Sequence, residues 1–362
     1  MSEKIKKNST AIDNKCPNCG GKLDFNPKLG KFSCKYCDST FSLEEITAKN
    51  STAATEEKNI DEGLVEDEGE LFQYNCPDCG AIIVADKETT ATFCVYCGNT
   101  AILKNKLAGK FHPKYLIPFK KTKEEAVAAF KSLSKGRIFV PKDFTSEKNI
   151  EKIRGIYIPF WLYDVDFSGS ITASGTRVTT WTVGRTHYTK TDTYEMIRAG
   201  EMSYSKVPVD GSTRFDNDLM NSIEPFNYDD LVDYNHAYLS GFLAEKYDID
   251  SDECYKDAQN RIIRSSESKL LERCTYKPAR IKSSTYTDNK TEVYYVLLPV
   301  YMVNVKYNEK MHTFAMNGET GKFIGNIPLD KKKVLITTII TFVVLFGLIE
   351  LIIFLVYTFG GK

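Results

Sequence analysis

The sequence has no net charge: 48 Lys and Arg offset 48 Asp and Glu over 362 residues. A chain so balanced offers no global electrostatic footprint for a polyanion such as nucleic acid. Histidine is scarce, with four in the whole chain (His112, His187, His236 and His312). None belongs to an HExxH motif and no two stand four apart, which excludes the helical two-histidine zinc site of metalloproteases. A G-x-S-x-G nucleophile elbow is also missing. Asn317-Gly-Glu-Thr-Gly-Lys322 approaches a phosphate-binding loop, but Met316 stands where its first glycine belongs and Phe323 replaces the magnesium-holding Ser or Thr. That stretch reads as a hairpin turn. Met1 to Lys15 carries charge and no apolar run, so no signal peptide is expected.

What the chain does contain is cysteine in a repeated pattern. Cys16-Pro-Asn-Cys19 is answered by Cys34-Lys-Tyr-Cys37, and Cys76-Pro-Asp-Cys79 by Cys94-Val-Tyr-Cys97. Both copies have the spacing C-x2-C-x14-C-x2-C, which points to two tetrahedral all-cysteine zinc sites. Four thiolates leave no open position, so the expected role is structural rather than catalytic. Redox chemistry by a CxxC pair explains the second pair at fixed distance less well. Thiols kept for metal fit a reducing compartment, which places this part of the chain in the cytosol. Gly20 and Gly98 follow knuckle cysteines, where positive φ is often required. The remaining two cysteines, Cys254 and Cys274, have no partner motif and read as ordinary thiols.

The C-terminal end carries the longest apolar run. Val334 to Tyr357 holds 18 Val, Leu, Ile and Phe residues and one acid, Glu350. As a helix it spans about 36 Å, more than a hydrocarbon core of roughly 30 Å. Its apolar side chains outweigh a cost of roughly 3 kcal/mol for one central acid. Lys331-Lys332-Lys333 precedes it, so the positive-inside rule places the N-terminal body on the cytoplasmic face of a cell membrane, as a tail-anchored protein. Glu350 is a candidate contact for a membrane partner, since acids inside a bilayer usually have a function.

Between these ends the expected organisation is a zinc ribbon at 14–48, an acidic flexible linker at 49–70 and a second ribbon at 71–103. An α+β cytosolic domain at 110–328 and a transmembrane helix at 334–357 follow. The linker carries eight carboxylates against one lysine between Glu56 and Glu70, a composition that stays solvated. In the second ribbon, Ile82 and Val84 form a face that packs either on the next domain or within the ribbon. Thr122 to Ser134 has helical spacing, and so does Met220 to about Arg273, where Leu239, Phe242, Leu243 and Tyr247 form one stripe. Phe167 to Val183 and Thr186 to Val207 read as antiparallel strands joined near Gly184, and Arg280 to Ile327 as further strands.

Nucleic-acid binding is the rival reading for zinc ribbons. Residues 13–49 hold six basic and five acidic side chains, and residues 76–110 hold four and three. Each zinc held by four thiolates adds a formal charge of −2, so neither ribbon offers the clustered cations that phosphates need.

Several motifs occur in a fixed order: Ile156-Tyr-Ile-Pro-Phe-Trp-Leu-Tyr163, Val207-Pro-Val-Asp210, Ile223-Glu-Pro-Phe226, Tyr238-Leu-Ser-Gly-Phe-Leu-Ala-Glu-Lys-Tyr247 and Phe314-Ala-Met-Asn-Gly-Glu-Thr-Gly321. In these the chain resembles bacterial membrane proteins with a TFIIB-type zinc ribbon, sometimes labelled as related to the primosomal helicase. The resemblance runs from the second ribbon to the anchor. No Walker motif supports the helicase label. The resemblance implies an association with phage-shock-type envelope proteins, hence a membrane platform for a PspA-like partner, and it brings no catalytic residues. The expectation is a non-enzymatic membrane adaptor holding two zinc ions, with protein and lipid as partners rather than nucleic acid or a small-molecule substrate. The alternative is a membrane-tethered nucleic-acid-binding or regulatory protein.

Overall fold

A computed structural model of the chain describes residues 16–51, 71–76, 80–86, 94, 103–106, 113–141, 144, 146–214, 217–308 and 310–359. The acidic linker beyond Ser51 lies outside these residues, as do Gly98 and His112. The first ribbon contains β1 (Leu23–Asn26), β2 (Lys31–Cys34) and β3 (Thr40–Phe41), followed by α1 (Leu43–Ser51). Next come β4 (Leu71–Asn75), β5 (Ile82–Asp86), β6 (Leu103–Lys106), β7 (Tyr115–Leu116), α2 (Lys123–Ser132) and α3 (Glu147–Ile150). A long hairpin, β8 (Arg154–Val183) and β9 (Thr186–Asp210), leads to α4 (Asn217–Ile223), β10 (Val232–Asp233), β11 (Leu243–Glu245) and α5 (Ser251–Glu272). The chain ends with β12 (Ala279–Tyr307), β13 (Lys310–Asn317), β14 (Phe323–Gly325) and α6 (Lys331–Phe359). The fold is α+β: a cysteine-bearing ribbon, a sheet-rich body and one apolar C-terminal helix.

Two sheets hold the described strands. The small one is β1-β2-β3, and the large one runs β10-β7-β12-β8-β11-β5-β4-β6, with β9 added to β8 and β13 then β14 added to β12. Its spine is the antiparallel pair β8–β12, paired from Arg154↔Met302 to Gly175↔Ala279 with register shifts between Ile281 and Ser283 and between Lys290 and Glu292. Prolines normally avoid strand interiors because they cannot donate to the ladder, yet Pro159 and Pro299 lie within the spine. Each sits where the strand changes neighbours. On β8, Tyr157 pairs with β11 and Phe160 with β9; on β12, Leu297 pairs with β7 and Val300 with β13. Single glycine donors fill the gaps: Gly211 N–H donates to Pro159 O at 2.9 Å and Gly318 N–H to Pro299 O at 2.8 Å.

Around these prolines the spine is buried on both faces. One apolar cluster gathers Tyr157, Tyr295, Leu297, Tyr301 and Val303 with Phe130 of α2 and with Leu23, Phe25, Phe32 and Phe41 of the first ribbon. The opposite cluster gathers Ile156, Ile158, Phe160, Leu162, Val296 and Leu298 with α4 and with Tyr74, Cys76, Ile83 and Cys94 of the second ribbon. Farther along the hairpin, α5 covers one face through Cys254, Ala258, Ile262 and Leu270. The two remaining cysteines are therefore buried packing groups: Cys254 Sγ donates to Asp210 O at 3.5 Å and Cys274 Sγ to Leu270 O at 3.8 Å.

Three sequence expectations are revised by this arrangement. The stretch from Met220 to Arg273 is not one helical region. Gly241, at φ +86°, breaks the stripe of Leu239, Phe242, Leu243 and Tyr247, and Leu243–Glu245 instead fills the slot between β8 and β5. Among the described residues, the strands of the second ribbon are not a separate unit, because β5 pairs with β11 in the common sheet. On β5 itself, Ile83 and Val84 are the buried residues and Ile82 is half-buried, since neighbouring side chains face opposite clusters. By contrast, α2 begins as its composition predicts, with Thr122 and Glu125 forming a capping box.

The apolar helix begins three residues earlier than expected. Asp330 Oδ1 accepts the backbone N–H of Lys332 and Lys333 at 3.1 and 3.3 Å. Asp330 N–H donates to Phe139 O at 2.8 Å and Lys333 Nζ to Val140 O at 2.8 Å, which pins the helix start to the body. Lys331–Leu355 contains an 18-residue window with a mean hydropathy of 2.7 that is not buried by the rest of the chain. It fits a single membrane span.

The turn after β13 is a structural hub. Asn317 is buried; its Nδ2 donates to Ile223 O and Pro225 O, both at 3.1 Å, and its Oδ1 accepts Glu319 and Thr320 N–H. A Cβ on Gly318 would lie 2.6 Å from the Phe119 ring and 2.9 Å from Pro299 O. Gly318→Ala should therefore cost about 1–3 kcal/mol, read as a lower thermal midpoint in detergent; an unchanged midpoint would refute the packing account. Asp210 gives a second test. Burial, opposed by the Ser212 N–H and reinforced by Asp248 and Asp257, pushes its pKa from 3.8 up to about 7. A raised folded-state pKa means that this contribution is fully present below pH 3.8 and is lost as pH rises through about 7. Asp210→Asn should remove the loss, so its midpoint should gain on wild type as pH rises from about 4 to about 7 and hold that gain above it.

Candidate metal centre

The first ribbon brings Cys16, Cys19, Cys34 and Cys37 together, with all four sulfurs within 4.8 Å of one another. Cys16 and Cys37 Sγ lie 3.6 Å apart and Cys19 and Cys34 Sγ 3.5 Å apart. A tetrahedral zinc with Zn–S of about 2.3 Å needs sulfurs roughly 3.8 Å apart, so this set fits a zinc ion. Cys16 and Cys34 form the inner wall, while Cys19 and Cys37 face solvent.

Each half of the site has the same local geometry. Cys16 N–H donates to Gly21 O at 2.6 Å and Gly20 N–H to Cys16 O at 2.8 Å. Cys34 N–H donates to Ser39 O at 2.9 Å and Asp38 N–H to Cys34 O at 3.0 Å. Both turns need a left-handed residue after the second cysteine, and Gly20 (φ +72°) and Asp38 (φ +54°) provide it. Aspartate is among the few non-glycine residues that tolerate this conformation.

The two exposed thiols differ in acidity. Hydrogen bonds from the Ser39 hydroxyl and backbone, then Cys19, lower Cys37 to about 6. At Cys19 the Gly21 N–H acts downward, but the thiols of Cys37 and Cys34 and partial burial prevail and raise it to about 12. Cys37 is thus the more acidic of the two exposed thiols. Asn18 Nδ2 donates to Ser39 Oγ at 2.9 Å, tying one knuckle to the other.

In the second ribbon, Cys76 and Cys94 are described and both are buried; Cys79 and Cys97 lie outside the described residues. Cys76 N–H donates to Ala81 O at 2.9 Å and Gly80 N–H to Cys76 O at 2.9 Å, with Gly80 at φ +69°. That is the Cys16–Gly21 turn reproduced sixty residues later. Glu350 lies on the exposed surface of α6.

Sequence spacing did not show how the first ribbon is seated on the body. Ser240, which is buried, donates from Oγ to Leu23 O at 2.6 Å, and Phe25 N–H donates to Ser240 O at 3.4 Å. Tyr238 packs on Phe25 and Phe32 with ring centroids 5.1 and 5.5 Å apart. A cleft of about 830 Å³ opens beside this seat. Its walls carry Lys28, Lys35, Lys123 and Arg154 against Asp24, Glu124 and Glu125, a balance that selects no ion of either sign.

A zinc ion bound by the four cysteines would act as a structural cross-link. Such a small ribbon buries little surface of its own, and metal binding worth about 10–16 kcal/mol in comparable modules offsets that deficit. The uncharacterized protein YdjG of Bacillus subtilis (strain 168) is 35% identical over 324 residues, covering 89% of this chain and 92% of YdjG. No family model and no solved structure matches the chain. Cys34→Ser should remove one zinc equivalent from the purified full chain and expose the Tyr238 seat to proteolysis. Unchanged metal content by mass spectrometry would rule out this centre.

Proposed function

We propose that this chain, which belongs to the family that includes YdjG, is a membrane-anchored, non-enzymatic adaptor that holds two structural zinc ions and presents its ribbons and its α+β body as protein-binding surfaces. One observation carries the reading: a closed four-cysteine centre is seated on a sheet body whose last strand leads within six residues into a membrane span. A closed centre orders a surface and leaves no position for substrate. The second zinc is supported by the repeated turn at Cys76 and Gly80, with Cys79 and Cys97 as its further ligands. Lys331 to Lys333 favour an anchor in the cell membrane with the body in the cytosol. A PspA-like envelope-stress protein is the partner suggested by the motif resemblance, and Glu350 is proposed to meet a polar group in a neighbouring span.

The test is a mild-detergent pull-down of the full chain, with proteomics, comparing wild type, Cys76→Ser and Glu350→Leu. A specific partner lost from Cys76→Ser supports the adaptor, and a partner lost from Glu350→Leu supports the intramembrane contact. Salt-dependent retention of the wild type on DNA or RNA, with no protein partner captured, would overturn the adaptor reading.

A further inference from the structure

After α2 the chain passes through two successive turns, with Arg137 N–H donating to Ser134 O and Val140 N–H to Arg137 O, both at 3.3 Å. The same segment holds the start of α6, since Phe139 O accepts Asp330 N–H and Val140 O accepts Lys333 Nζ. The apolar run of α6 opens at Val334, four residues beyond Asp330. At 1.5 Å per residue that is about 6 Å, comparable to the headgroup layer on one side of a bilayer, roughly 5–8 Å thick. With α6 in a membrane, residues 134–140 therefore lie at headgroup level.

Their composition suits that place. Ile138 is 67% exposed, and Leu329, next to the pinned Asp330, is 59% exposed. The same stretches expose Lys131, Lys135, Arg137, Lys331 and Lys332. With Lys333, residues 131–140 and 326–335 hold six cations against a single acid, Asp330, in a chain of zero net charge. That acid is already engaged by the Lys332 and Lys333 N–H groups. A groove of about 570 Å³ lies against this end of the helix, lined by Leu329, Lys331, Val334, Leu335 and Thr338. Apolar walls with a lysine among them match a phospholipid, which brings an acyl chain and a phosphate together.

We propose that residues 134–140 and 329–333 form a second membrane contact, which binds anionic phospholipid headgroups where α6 enters the bilayer and seats Ile138 among them. The inference rests on the reading of α6 as a membrane span. Each Lys or Arg near an anionic surface adds a factor of roughly five to its attraction. A zwitterionic headgroup brings equal charges of both signs, so six cations and one acid gain little from it. One helix leaves the body free to swivel on its anchor, whereas a second contact fixes which face turns to the membrane. Val140 belongs to the apolar cluster that also receives Leu23, Phe25 and Phe32, so the lipid contact and the first ribbon are built on the same core.

The test places the full chain in nanodiscs of phosphatidylcholine alone, or of an equal mixture with phosphatidylglycerol, both with acyl chains brominated near the headgroup. The tryptophan emission that Ile138→Trp adds over wild type should be quenched in the mixed bilayer and at least halved in its quenching in phosphatidylcholine alone. Adding Lys135→Gln and Arg137→Gln should lower quenching in the mixed bilayer to the phosphatidylcholine level. All three side chains are exposed, so the thermal midpoint should stay at its wild-type value. Added emission that bromine quenches in neither bilayer would overturn the contact, and equal quenching in both would overturn the selection of anionic lipid. Extraction of the wild type from membranes by alkaline carbonate would instead overturn the span, and the inference with it.

Discussion

The antiparallel pairing of β8 with β12 is the interaction on which the rest of the structure depends. Over its central part both faces are buried, one under the first ribbon and α2, the other under α4, while the second ribbon extends the sheet and adds Val84 to the first cluster and Ile83 to the second. A strand pair buried on both faces reads as a nearly continuous apolar run. That explains Ile156 to Leu162 and Val296 to Val300. It also explains how two prolines survive there, because each occupies the point where one neighbouring strand gives way to the next. Gly211 and Gly318 can approach those points because neither has a side chain to clash.

The cysteine modules are built into this framework rather than strung beside it. A ribbon of a few short strands has too little core to fold without help. Here help comes from a seat on the body, and the four cysteines of the first ribbon also fit a metal cross-link. Both ribbons are held by the segment from Asp210 to Glu245: Ser240 and Tyr238 take the first, while Arg214 and β11 take the second. That segment also joins the long hairpin to α5, so the zinc modules and the body share their contacts.

Cysteine spacing was readable in the sequence because a metal fixes ligand number and separation locally. The four sulfurs of the first ribbon lie where C-x2-C-x14-C-x2-C places them. The span was readable for a similar reason, since a run of that length and apolarity has few alternatives. The helical stripe at Leu239, Phe242, Leu243 and Tyr247 misled because apolar spacing over a stretch that short fits more than one structure. Gly241 and the empty slot between β8 and β5 decided against the helix, and only the first of these is visible in the sequence. Arg214, which joins the buried Glu245 to Gly80 O, lies in no motif, and Glu245 sits in the Tyr238–Tyr247 motif without any sign there of its partner. Their meaning lies in a contact between residues more than 130 positions apart.

By itself, then, the sequence determined the ligand set of the first zinc centre, the membrane span, the α+β class and the hairpin around Gly184. These follow from local constraints: coordination geometry, hydrocarbon thickness, alternation of side chains and a turn residue. Only the tertiary structure decided that the second ribbon shares the body's sheet, that the first ribbon packs on one face of the central strand pair, and that one arginine joins a knuckle to a buried acid. Those facts depend on which distant segments meet. Strand pairing and burial set that jointly for the whole chain, so no window of sequence contains it.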